Sequence, residues 1–569
     1  GWGLAHFSGR FGPKNVSVHF PPTKIGTVPV NGYSKADRTL MTEAEEIGGI
    51  SPVRLSVLQD RPAMADGAYV VYWMTAARRT GWNFALQRAV GWARELKRPL
   101  VIVEVLACGG RWDSDRHHRF VLQGMNDNAQ RLAKAPAVYH PYVESRPGEC
   151  KQFFAAVCEN ACVVLTDDYP IALPTVTTVD AAVPVRVERV DGSGLLPLRA
   201  ADRAFPTAHA FRRFLQSSLR EHLLDAPKSD PFAKVKLPCL RSMPARILRR
   251  WPAASDRLLA GQSGALAALP IDHGVPPVSA VGGPTVAHTR WRTFLAKRLA
   301  SYPALRNQPE ADSTSGLAPY LHFGHISAHE IFHSLAKQEG DRHIFRPETA
   351  RKMSQSAARE RLQEGWSPGK LAEKASGSRE GWWGMSEAAE AFLDQLVTWR
   401  ELGFNFCEHR PDYAEYQSLP PWAKATLAKH AKDNRPYIYS LDQFASAQTH
   451  DPLWNAAQRQ LVTEGHIHNY LRMLWGKKIL EWTASPEEAL DIMIELNNRY
   501  ALDGQDPNSY SGIFWILGRY DRPWGPERPI FGTVRYMSSE NTARKVRVAD
   551  YLRRYSAEAL ARPREGPGD

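Results

Sequence analysis

Cysteine is scarce. Six occur in 569 residues: Cys108, Cys150, Cys158, Cys162, Cys239 and Cys407. No two stand in a CxxC pair, and none joins histidine at zinc-finger spacing. That excludes a disulfide framework and a four-cysteine iron–sulfur cluster, and no metal site is expected. Long apolar runs are also missing. The strand-like stretch PLVIVEVLAC (residues 99–108) falls well short of the ~20 residues that a membrane span needs. The opening GWGLAHFSGRFGPKNVSVHF has no apolar signal-peptide core. These absences imply a protein of a reducing compartment, cytoplasmic or nuclear (nucleoid-associated in a bacterium) or organellar, with no membrane partner. No internal repeat is visible. Charge, in contrast, is in surplus: 72 Lys and Arg against 60 Asp and Glu leave a net +12, which suits a polyanionic partner such as nucleic acid.

A chain of this length exceeds one hydrophobic core, so two or three domains are expected. The apolar runs GAYVVYWM (67–74), PLVIVEVL (99–106) and ACVVLTDD (161–168) read as buried strands. Between them GWNFALQRAVGWARELKR and HHRFVLQGMNDNAQRLAKA carry helical periodicity. Apolar strands alternating with helices predict a doubly wound parallel sheet, an α/β domain over residues 51–225. Residues 226–284 are rich in Pro, Gly and Ala and read as an interdomain linker. Residues 285–560 carry a 3.6-residue period and predict an all-α domain. Residues 1–50 read as a flexible extension and 561–569 as a disordered tail.

The stretch DPLWNAAQRQLVTEGHIHNYLRMLWGKKILEWT (451–483) concentrates three tryptophans, Trp454, Trp475 and Trp482. Ile467, Leu471, Leu474, Trp475, Ile479 and Trp482 form the stripe of an amphipathic helix. Trp475 and Trp482 then share a face, about 10.5 Å apart along the axis. Spacing alone leaves three uses open: core packing, an aromatic surface for a ligand, or a path for electrons.

The surrounding words are more specific. THDPLWNAAQRQLV, LRMLWGKKILEWT and LNNRYALDGQDPNSYSGIFW resemble the flavin-binding domain of photolyases, in particular class II cyclobutane pyrimidine dimer (CPD) photolyases of the photolyase/cryptochrome family. YPALRNQPEADSTSGLAPYLHFGHIS (302–327), LVTWRELGFNF (396–406) and YVVYWMTAARRTGWNFAL (69–86) resemble other segments of that family. The resemblance covers roughly residues 51–555 and is thin over 226–284. It implies an FAD-binding helical domain. Tyr302, Thr314, Ser315, Gly316 and Leu317 would surround the FAD phosphates and sugar. Small hydroxyl residues and a glycine before a helical run suit an anion at free N–H groups. Ala318 departs from the family, which often has Ser there. Arg472 and Asp503 match a charged pair beside the flavin ring, and Asn497 matches the residue facing its N5. Glu401 matches the glutamate at the substrate pocket. The tryptophans match an electron relay, with Trp475 nearest FAD, then Trp454, then Trp482 outermost. Trp515 matches the aromatic residue beside a flipped lesion, and Arg306 and Arg535 match basic residues that hold DNA.

The implied function is light-driven CPD repair in DNA, by electron transfer from excited, reduced, anionic FAD to the flipped dimer. The implied enzyme is a deoxyribodipyrimidine photo-lyase, a monomer acting on UV-damaged DNA, with an antenna chromophore of unknown identity as a further possible ligand. The alternatives are a cryptochrome-like blue-light receptor, a (6-4) photolyase, and a basic nucleic-acid-binding protein with a vestigial flavin site.

Overall fold

A computed structural model describes residues 47–171, 183–339 and 375–561. The expected flexible extension (1–50) lies outside the described residues up to residue 46, and all but the first residue of the expected tail (561–569) lies outside them too. Ile47–Gly49 form one turn held on the first helix, where Arg88 Nη1 donates to the Ile47 carbonyl at 2.5 Å and Gln87 Nε2 to that of Gly48 at 2.7 Å.

Six strands form one sheet: β1 (Leu55–Gln59), β2 (Tyr69–Met74), β3 (Leu100–Leu106), β4 (Val138–Val143), β5 (Ala161–Asp168) and β6 (Arg186–Asp191), in the order β1-β6-β5-β2-β3-β4. All neighbours are parallel except β1 and β6. The expected doubly wound sheet is present, with β1, β4 and β6 added. Those three carry Gln, His, Pro, Arg and Asp, so no continuous apolar run marks them. β2 shows why the central strands do read clearly: every residue is buried. Tyr69, Val71 and Trp73 face one layer, with Phe153 and Val157 of a helix at Glu149–Cys158. Val70, Tyr72 and Met74 face the other, with Phe84, Leu86 and Ala89 of α1 (Phe84–Glu95). Side chains of alternating residues point to opposite faces. Burying each large apolar one is worth about 1.5–3 kcal/mol.

The sheet order reverses between β2 and β5, where an open α/β sheet usually offers a ligand crevice. Here the crevice is filled by the chain itself. Asp167 Oδ2 accepts the N–H groups of Thr75, Ala76 and Ala77 at 2.8, 2.7 and 3.0 Å, and Arg79 Nη1 donates to the Gly324 carbonyl at 3.0 Å. About 20 Å³ remains, room for a water molecule.

The Pro- and Gly-rich segment 226–284 holds three short helices and packs on the α/β half. Met243, Ile247 and Trp251 sit on one sheet layer, and Leu259, Leu266 and Leu269 pack with Val121, Leu122 and Met125 of α2 (Asp115–Leu132). The rest is helical. The parts that place the site are α3 (Pro284–Lys297), α4 (Ala318–His322), α5 (Glu387–Leu393), a π-helical turn (Asp394–Trp399), α6 (Arg400–His409), α7 (Pro452–Glu464), α8 (Asn469–Glu481), α9 (Pro486–Tyr500) and α10 (Pro507–Ile516). One core runs from Phe120 of α2 through Leu195 and Leu196 to Trp291, Phe392 and Leu396, so the two halves share apolar packing. Among the described residues no helix is long and apolar enough to cross a membrane.

Candidate active site

α5, the π-helical turn and α6 form a continuous helical rod. Its Phe392, Gln395, Leu396 and Arg400 line a cavity of about 150 Å³. Opposite stand Tyr302, Ser315, Leu317, Ala318 and Leu321, and the third wall is Asp503, Asp506, Asn508 and Ser509. Of the residues that the sequence singled out, Tyr302, Ser315, Leu317 and Asp503 therefore meet at one cavity. Gly316 lies between two of them at φ +63°, a left-handed turn that favours glycine. Two cations approach this turn without having been foreseen. Arg298 Nη1 donates to the Thr314 carbonyl at 3.4 Å, and a Cβ on Gly316 would lie 3.1 Å from Arg290 Nη1.

Arg472 on α8 pairs with Asp503 at 3.1 Å, both side chains largely buried. Arg472 Nε is buried and lacks a hydrogen-bond partner. Asn497 on α9 donates to Ser509 Oγ at 2.6 Å, so it reaches the cavity wall through a lining residue. Asp506 caps α10 by accepting the Asn508 N–H at 2.8 Å, and it also meets Tyr169 Oη at 2.9 Å and His322 Nδ1 at 3.2 Å. Burial opposes the Asp506 charge, but the His322 contact and nearby cations outweigh it and hold the carboxyl below its ordinary range.

Glu401 needs a correction. It was expected at the substrate pocket, yet its carboxylate does not line the cavity. Oε1 and Oε2 accept the N–H groups of Leu195 and Leu196 at 2.7 and 2.9 Å, at the seam with the α/β half. The physical reason is helical phase. Arg400 lines the cavity while its Nη1 donates to the Ser193 carbonyl at 2.9 Å, and the next residue, turned by about 100°, leaves the cavity wall for the same 193–196 loop. The π turn carries an extra residue, a feature common at functional sites that no sequence period announces. Burial pushes the Glu401 carboxyl up to about 7, against the pull of the two N–H groups and Arg400. The polar side chains of this rod that line the cavity are Gln395 and Arg400.

The tryptophans fill a second core with Leu471, Leu474, Ile479 and Phe514. Trp475 Nε1 donates to Gln458 Oε1 and Trp454 Nε1 to the Trp475 carbonyl, each at 2.9 Å. Trp454 and Trp482 have ring centroids 6.0 Å apart. Trp482, expected outermost, is only 2% exposed.

On the outer side of α10, Trp515 is half-buried, and Arg535 lies over its ring at 5.2 Å and over Trp524 at 4.0 Å. Asp521 holds that guanidinium at 2.8 Å. Arg306 is half-buried, 5.9 Å from the Tyr302 ring. Beneath this surface Lys477 is fully enclosed and donates to the Ile516 carbonyl at the end of α10. Desolvation pulls it down to about 7, while Asp521 supports its charge. A lysine in a helix stripe gives no sequence signal of such a post.

A sheet-and-helix fold with a polar cavity between α4 and the α5–α6 rod is the architecture of a photolyase. A bacterial class III photolyase from Agrobacterium tumefaciens shares the fold, with a TM-score of 0.57 and 16% identity over 87% of each chain. No family model matches. Two relatives extend the likeness to sequence. The deoxyribodipyrimidine photo-lyase of Methanothermobacter thermautotrophicus is 32% identical over 86% of this chain and 94% of its own. That of Potorous tridactylus is 33% identical over 89% and 84%. The chain belongs to the deoxyribodipyrimidine photo-lyase family. It is an enzyme, a lyase.

Proposed function

We propose that the protein repairs cyclobutane pyrimidine dimers in DNA by light-driven electron donation from reduced FAD, in the manner of class II photolyases. The observation that carries the reading is the near-complete span of relatives named for this activity, 94% of the archaeal chain, together with the convergence of Tyr302, Ser315, Leu317 and Asp503 on one cavity.

The residues present fit a dinucleotide flavin. Arg290, Arg298 and the glycine turn at Gly316 suit its phosphates. The buried, unpartnered Arg472 Nε beside Asp503 suits the polar edge of a ring. When bound, the flavin supplies the excited electron. The chain does the rest. Gln395 and Asn508 offer amides, able to donate and accept, to the base edges of an extruded pyrimidine dimer. Arg535 and Arg306 bring positive charge to the phosphates without reading sequence. The Trp515 ring fills space that the extruded bases leave. Trp475, Trp454 and Trp482 carry electrons inward to restore the reduced cofactor. No residue is assigned to an antenna chromophore.

The test uses the purified protein with FAD, reduced, and two oligonucleotides, one with a defined CPD and one with a (6-4) lesion. Light-dependent reversal of the CPD alone supports the reading. Reversal of the (6-4) lesion, or of neither with flavin bound, sinks it.

A further inference from the structure

The tryptophan chain does not reach solvent. Trp482 is 2% exposed; Tyr439 and His450 pack against its ring, and Tyr437 stacks on His450. The Tyr439 ring meets Trp482 edge-on, centroids 5.7 Å apart, and its backbone N–H donates to the Trp482 carbonyl at 3.1 Å. Tyr439 Oη lies 2.7 Å from His450 Nδ1 and accepts the His450 backbone N–H at 3.1 Å. That second bond leaves the phenol hydrogen free to point at Nδ1. His450 is itself 4.9 Å from Trp482, and Tyr437, 48% exposed, stacks on it at 3.9 Å. Lys478 Nζ also lies 5.2 Å over the Trp482 ring. A cation there disfavours positive charge on the indole.

We infer that the relay ends not at Trp482 but at the Tyr439–His450 pair, which passes the oxidising equivalent to the surface as a neutral tyrosyl radical. The inference rests on the relay reading given above. In the step, one electron moves from Tyr439 to the Trp482 radical cation, and the phenol proton moves to His450 Nδ1. The products are neutral Trp482, a neutral Tyr439 radical and an imidazolium at His450, so charge and protons balance. The oxidant is the light-excited oxidised flavin acting through Trp475. An external one-electron reductant such as a thiol then supplies an electron, and His450 returns the proton. Phenol oxidation without a proton acceptor would leave a strongly acidic cation, and His450 removes that barrier. Trapping the radical as a neutral species at the surface also slows its return inward.

The test is flash excitation of the FAD-loaded, oxidised protein, reading radical identity by transient absorption and electron paramagnetic resonance, in H₂O and D₂O. Wild type is expected to end on a tyrosyl radical whose formation slows in D₂O. Tyr439→Phe is expected to end on a tryptophanyl radical with that isotope effect lost. His450→Phe, which keeps the ring stack, is expected to lose the tyrosyl signature although Tyr439 remains. Circular dichroism and flavin content establish that each variant is folded and loaded. A tryptophanyl end state in wild type, or a tyrosyl radical that survives Tyr439→Phe, overturns the exit while leaving the relay standing. Radical formation that survives Trp475→Phe brings down the relay reading itself, and the exit with it.

Discussion

At the residue scale, the instructive side chain is Glu401. Family likeness and helical context both mark the WRE triplet, and nothing in the letters says which way the third residue points. The structure turns it into a clasp for the 195–196 loop, and that changes what its substitution should do. The folded carboxyl sits near 7, above the usual range for an exposed glutamate. Between the unfolded value and 7 the folded state binds the extra proton, so stability is fullest at low pH and falls as pH rises through about 7. The size of that loss is roughly 3 kcal/mol from this one group. Glu401→Gln should therefore flatten the decline of Tm between about pH 5 and pH 7, read by calorimetry against wild type. An unchanged slope would place the titration elsewhere, for example at Glu408, which burial also raises to about 7. Asp503→Ala should act differently. It leaves Arg472 buried without its partner, and FAD affinity should weaken about 10- to 100-fold, as measured by fluorescence titration.

At the element scale, the apolar strands were legible as continuous buried runs, whereas the helix at 469–481 is not the one-faced amphipathic helix expected, since Gly476, Lys477 and Lys478 are buried along with Leu474, Trp475 and Ile479. β1, β4 and β6 were not legible, because polar side chains on half-covered strands break the run. The π turn was not, because an inserted residue shifts the phase without changing composition. It is this shift that puts Gln395 and Arg400, rather than Glu401, at the cavity. The C-terminal end of α10 depends on Lys477, whose enclosed ammonium meets the Ile516 carbonyl. Its folded value near 7 lies below the ordinary lysine value, so its contribution to stability grows as pH rises above 7 and is lost below it. Lys477→Met should keep the fold, since an apolar chain of similar length suits the site. It should also remove that pH dependence and loosen the Trp515 surface, seen as weaker binding of lesion DNA with flavin retained. Unchanged DNA affinity would make Lys477 a packing residue only. On α8, Trp475→Phe should abolish light-driven reduction of the oxidised protein, while chemically reduced protein still repairs.

At the scale of the whole molecule, the charge surplus was legible from composition, and the α/β-then-helical order from periodicity. The closure of the sheet crevice by Asp167, Arg79 and Gly324 was not, because it depends on long-range contacts between separate halves. Net +12 predicts affinity for DNA that falls steeply with salt. Arg535→Ala should lower affinity for damaged duplexes of any sequence and reduce the salt slope by about 1. A loss confined to one sequence would contradict a phosphate role.

The central claim is tested most directly in one cuvette. The purified protein is loaded with FAD, reduced, mixed with thymine-dimer DNA and lit with blue light, while the ultraviolet absorbance of restored thymine is followed beside a dark control. The account predicts a rise in the light and none in the dark. A flavin-loaded, reduced protein that leaves the dimer intact under light would contradict it.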